Sequence, residues 1–136
     1  MKHLFFTILF VSLLSALNAQ DSTIIGTWNI IEFTMTSADN VNKMTEDQLN
    51  EKKFIWDLNL LENGSLTQIS NMRTGEKETQ EGNWKVIDDN LILTLKFNNN
   101  DIIIEYDYKV TGDILTLKRG NPAGTMNVET KYRKKV

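Results

Sequence analysis

The sequence predicts an all-β fold: an eight-stranded antiparallel up-and-down barrel with one short helix after the first strand. Three observations lead there. From Ile24 onward apolar residues recur with a period of two, the repeat of a strand with one buried and one wet face. Turn-forming residues punctuate that pattern at hairpin intervals. No stretch has the length or period of a crossover helix, so consecutive strands pair antiparallel. A meander this long leaves two open edges, and rolling it into a barrel removes both.

The elements follow in order. Ile24, Gly26, Trp28 and Ile30 share one face of a first strand running to about Met35, and Ser37 to Lys43 is polar. Thr45, with Gln48 three residues later, has the spacing of a capping box and opens a short helix. Phe54, Trp56, Leu58 and Leu60 alternate with Ile55, Asp57 and Asn59 in the second strand. Asn63-Gly64 suits a type I′ hairpin turn, which explains the Asn63-Gly64-Ser65 sequon without invoking glycosylation. Ser65 to Met72 forms the returning strand, Arg73 to Lys77 turns, and a fourth strand spans about Thr79 to Ile87.

Beyond it lies a faint internal repeat. Trp84-Lys85-Val86 and Tyr108-Lys109-Val110 each lead through an acidic turn into Leu-Thr-Leu-Lys, at Leu93–Lys96 and Leu115–Lys118. Each half reads as a hairpin with apolar side chains in and Thr or Lys out. A long strand joins them, with Ile102, Ile104, Tyr106, Tyr108 and Val110 on one face. The loop Gly120 to Gly124 holds the only proline, Pro122, and Met126, Val128, Thr130 and Tyr132 mark the closing strand.

Residues 1–19 read as a secretory signal. Lys2 and His3 form a positive start, Leu4 to Leu14 is an apolar run, and Ala19 precedes the cut before Gln20. A membrane anchor needs about twenty apolar residues, more than this run offers. No cysteine follows to carry a lipid. The expected mature domain is residues 20–136, exported to the periplasm or beyond and without a membrane span.

Loss of Lys2 takes the formal net charge from −3 to −4. That mild acidity, with no long basic patch, argues against a nucleic-acid partner. The basic cluster Lys131 to Lys135 reads as a solvated strand end. The chain has no cysteine, and its one histidine, His3, leaves with the signal. Ser–His–Asp and Cys–His catalysis are thereby excluded, as are the favoured ligands of zinc and copper. Asp88-Asp89-Asn90 and Asn98-Asn99-Asn100-Asp101 lack calcium-loop spacing and sit where turns are expected. The reading is non-enzymatic, with no cofactor and no metal.

Two segments, Gly26-Thr27-Trp28 and Gly82-Asn83-Trp84, place a glycine two residues before a tryptophan at the head of a strand. Glycine inside a strand marks a bend or a close backbone approach. Both tryptophans are expected inside, near the barrel ends, as structural plugs. The Gly26–Trp28 strand after the signal, the short helix and the strand meander resemble the lipocalin-like domains of small secreted Bacteroidetes proteins, over residues 24–134. That resemblance implies a packed Trp28 beneath an arginine from late in the barrel, either Arg119 or Arg133. The family's Thr-Asp-Tyr motif is absent; Tyr106-Asp107-Tyr108 lies within a strand.

The resemblance, and a barrel of eight strands, point to a cup for one small apolar or amphipathic ligand. Candidate lining residues are Phe54, Trp56, Tyr106, Tyr108, Met126 and Tyr132, with Gln68 or Glu32 as polar fixers. Each also suits plain core packing. The alternative is a filled barrel acting as an interaction module, with loops contacting an envelope protein. A carboxylate enzyme would need an inward acid beside Glu32, yet alternation places Asp57, Glu105 and Asp107 outside.

Overall fold

The computed structural model describes residues 21–136; the segment read as a signal lies outside the described residues. After a 3-10 turn at Ser22–Ile24 come β1 (Gly26–Ser37), β2 (Val41–Met44), α1 (Glu46–Glu51), β3 (Trp56–Leu60), β4 (Ser65–Ser70) and β5 (Glu78–Ile87). β6 (Asn90–Phe97), β7 (Asn100–Thr111), β8 (Ile114–Gly120) and β9 (Met126–Lys134) complete the chain. Neighbours pair antiparallel from β3 through β9, and β1 pairs with both β3 and β9. That second pairing closes an eight-stranded barrel. It runs from Trp28↔Lys134 to Ser37↔Met126 and is the longest seam among the described residues.

Local chemistry explains most boundaries. Thr45 and Gln48 form the reciprocal capping box, with Thr45 N–H donating to Gln48 Oε1 at 2.9 Å and Gln48 N–H to Thr45 Oγ1 at 3.4 Å. Asn98 and Asn99 adopt φ of 49° and 67°, as a two-residue type I′ hairpin between β6 and β7 requires. Asp88 (φ 54°) and Gly112 (φ 61°) open the other two-residue loops.

The strands depart from the sequence reading at four places. Val41–Met44, which overlaps the polar stretch Ser37 to Lys43, forms β2 on the edge of β1 that β3 leaves free. Asn63-Gly64 is not a two-residue turn. Leu61 to Gly64 turn together, with Gly64 N–H donating to Leu61 C=O at 3.0 Å and only Gly64 left-handed (φ 86°). Ile24 and Phe54 lie just outside the strands assigned to them, although Ile24 is fully buried. Finally, a β-bulge between Ile30 and Glu32 reverses the alternation of β1. Glu32 thus sits opposite outward Lys131 and meets Lys43 and Lys131 at 3.5 and 3.7 Å, on the outer wall rather than in the lumen.

The core fills one end of the barrel. Trp28, Leu58, Leu60, Leu66, Trp84, Leu91, Leu93, Leu115 and Leu117 are buried there, and Ile24 folds over them from the 3-10 turn. Each tryptophan finds an acceptor for its indole N–H, Trp28 at Ile24 C=O and Trp84 at Leu61 C=O, both 2.8 Å. The glycines serve close approach. A Cβ on Gly82 would lie 1.8 Å from the Thr94 carbonyl oxygen, and one on Gly26 (φ 142°) 2.7 Å from Lys134 Cε. The cation over Trp28 is this Lys134, with Nζ 5.6 Å from the ring, not the arginine expected. Arg133 turns outward to Glu46 of α1, at 2.8 and 3.3 Å. Arg119 lies over the Tyr106 ring at 5.8 Å.

Candidate functional site

The opposite end of the barrel is less completely packed. Strand alternation sends Trp56 of β3, Gln68 and Ser70 of β4, and Glu78 and Gln80 of β5 inward at this mouth. With Met72 and Arg73 from the β4–β5 turn they line a cavity of about 280 Å³. Trp56 forms the apolar wall, backed by Phe33 at 6.4 Å between ring centroids and by Tyr132 edge-on at 6.5 Å.

A polar chain crosses this wall. Trp56 Nε1 donates to Gln68 Oε1 at 3.0 Å, and Gln68 Nε2 donates to Gln80 Oε1 at 2.8 Å. The register makes this possible, since Gln68 faces Gln80 directly and sits diagonally from Trp56. At the rim Arg73 bridges to Glu78 with contacts of 2.8 and 3.3 Å, while its guanidinium covers the Phe97 ring at 5.0 Å. Hydrogen bonds from Thr74 and then Arg73 hold the Glu78 carboxyl below its ordinary value. The pair therefore stays ionised and cancels its own charge. Across the barrel, Arg119, Met126 and Val128 line a second cavity of about 240 Å³ with the Gly120–Pro122 loop.

Of the sequence candidates, Trp56 and Gln68 are thus brought together at the mouth. Tyr132 and Tyr106 are buried core residues, 1% and 6% exposed, and burial raises the pKa of both hydroxyls. Tyr132 reaches the site only through the edge of Trp56. Tyr108 is at the far end, where its hydroxyl donates to Asp21 Oδ2 at 2.6 Å. Phe54 precedes β3, half-buried, its N–H bonded to Leu49 C=O at 2.9 Å. Met126 is exposed on the opposite wall. Gln80, Ser70, Arg73 and Glu78 were not anticipated. Gln80 was findable, because it shares the period-two face of Gly82 and Trp84. The Arg73–Glu78 clasp was not, since it depends on how the β4–β5 turn folds back.

No group of three or more His, Cys, Asp or Glu side chains is placed to hold a metal ion among the described residues. Nor is any described helix long and apolar enough to cross a membrane.

No protein-family model matches the chain, and no curated protein does. Among solved structures the fold is similar to a lipocalin-like protein from Bacteroides uniformis, with a TM-score of 0.53 and 15% identity over 83% of this chain and 99% of the other. It is also similar to an uncharacterized protein from Bacteroides eggerthii, with a TM-score of 0.51 and 17% identity over 82% and 98%. At such identities the likeness establishes the architecture, a lipocalin-like antiparallel barrel.

Proposed function

We propose that this lipocalin-like barrel is a non-enzymatic binding protein that holds one small apolar or amphipathic molecule at its mouth. The observation that carries the reading is the cavity of about 280 Å³ walled by Trp56 and crossed by the Gln68–Gln80 pair. Apolar walls with a few oriented polar groups are the usual composition of a small-molecule site. The lower barrel, filled by Trp28, Trp84 and the leucines, acts as a rigid floor. A neutral naphthylamine dye titrated into residues 20–136 should bind saturably at one site. Trp56→Ala should weaken that binding about tenfold, the loss expected for an aromatic anchor. Non-saturable binding, or binding indifferent to Trp56, would refute the reading.

A second reading is favoured by one feature. Among the described residues β2 is paired along one edge only and exposes Val41, so a strand of a protein partner has a place to add. In that case the filled barrel is an interaction module of the cell envelope, and dye binding is absent.

We place the protein outside the cytoplasm. The apolar run before Ala19 supports this. N-terminal sequencing of the protein from its host should begin at Gln20; a retained Met1 would contradict export by cleavage.

A further inference from the structure

Resting on the binding site just proposed, we infer that its ligand is a neutral molecule presenting a hydrogen-bond acceptor, a carbonyl group on an aromatic or apolar frame, to the side-chain amide of Gln80. The inference follows from the direction of the polar chain. An indole N–H is a donor and nothing else. Trp56 Nε1, 3.0 Å from Gln68, therefore requires the oxygen of that amide to face it. The nitrogen of Gln68 must then point the other way, and it lies 2.8 Å from Gln80. Two amide nitrogens cannot face each other as donors, so Gln80 presents its oxygen to Gln68 as well. Reversing either amide would set donor against donor. One donor-only group thus orients both amides, although oxygen and nitrogen are otherwise easily interchanged.

The consequence falls at the end of the chain. Gln80 Nε2 is left as a donor with no protein acceptor among the described residues, and Gln80 lines the cavity. Ser70 adds a second donor. Its oxygen already accepts from Met72 N–H at 3.1 Å, which leaves the hydroxyl proton for another partner. The one acid and the one base that line the same space neutralise each other, Arg73 on Glu78 at 2.8 Å. The lining is therefore rich in neutral donors, carries no net charge and has an indole wall. A site of this composition rewards a neutral acceptor and penalises a hydrocarbon that leaves the amide unpaired.

The test uses 2-acetylnaphthalene and 2-ethylnaphthalene, which share one carbon frame and differ in the carbonyl oxygen, each displacing the naphthylamine dye from residues 20–136. The ketone should bind about tenfold more tightly than the hydrocarbon to the wild-type protein. Gln80→Glu, assayed at pH 8, keeps an acceptor for Gln68 but removes the terminal donor. It should bring the ratio to one or below. Equal affinity of the two probes for the wild type, with Trp56→Ala still weakening both, overturns the acceptor rule and leaves the binding site standing. Absence of saturable binding by either probe overturns the site itself. The wild-type ratio decides the matter even if the glutamate variant does not fold.

Discussion

Gly82 and Trp84 show how a two-residue motif is spent on packing. The Thr94 carbonyl of β6 comes so close over Gly82 that any Cβ would occupy the same space, 1.8 Å away. Trp84, on the same inward face two residues on, is 2% exposed. Gly82→Ala must therefore displace β6 backbone rather than a pliable side chain. It should cost about 3 kcal/mol and lower the thermal midpoint by roughly 10 °C. Calorimetry on the purified domain checks this; an unchanged midpoint would mean that β6 yields freely. Gly26 differs, because what a Cβ meets there is the flexible end of Lys134. The replacement of the expected arginine by Lys134 over Trp28 follows from register. On β9 the inward series is Thr130, Tyr132 and Lys134, and Arg133 necessarily faces out.

At the scale of elements, the 3-10 turn is held by a latch with a pH signature. Asp21 caps Thr23 N–H at 3.0 Å and accepts the Tyr108 hydroxyl at 2.6 Å, tying the turn across the barrel floor to β7. Partial burial, and then the Asp21 carboxylate beside it, raise the Tyr108 pKa from 10.0 to about 12. Partial burial pushes the Asp21 carboxyl up, but hydrogen bonds from Tyr108 and Thr23 outweigh it and leave its pKa below 3.8. The folded state thus holds the Tyr108 proton more tightly than the unfolded chain does. Its contribution is complete below pH 10 and is lost as pH rises toward 12. The Asp21 contribution is complete above its ordinary value and is lost as pH falls through the lowered one. The stability difference between wild type and Tyr108→Phe, measured in urea, should accordingly shrink between pH 10 and 12. A difference constant over that range would show that the latch contributes through packing alone. The bulge in β1 is the other element-scale event. One extra residue after Ile30 lets the long strand serve β3 and β9 with opposite parity along its two halves, and it carries Glu32 outward.

Closure of the whole molecule depends on β1 meeting β9 over residues separated by nearly the entire described chain. Period-two patterning, Asn-rich and Gly-containing turns and the absence of a crossover helix were enough to read a meander and its class. The capping box and the buried faces of β6 and β8 were legible for the same reason: each is dictated by neighbours in sequence. The amino-acid sequence by itself determined eight of the nine described strands, most turns, the inward tryptophans and the lack of thiol chemistry. Only the tertiary structure decided which inward residues meet. It joined Trp56 to Gln68 and Gln80, sent Tyr108 to the opposite end, clasped Arg73 to Glu78 and turned Glu32 out through the bulge. The physical reason is that alternation fixes the face a side chain takes. Its neighbour on the next strand is set by register, and register is fixed by bulges, turn lengths and closure, which a local pattern does not contain.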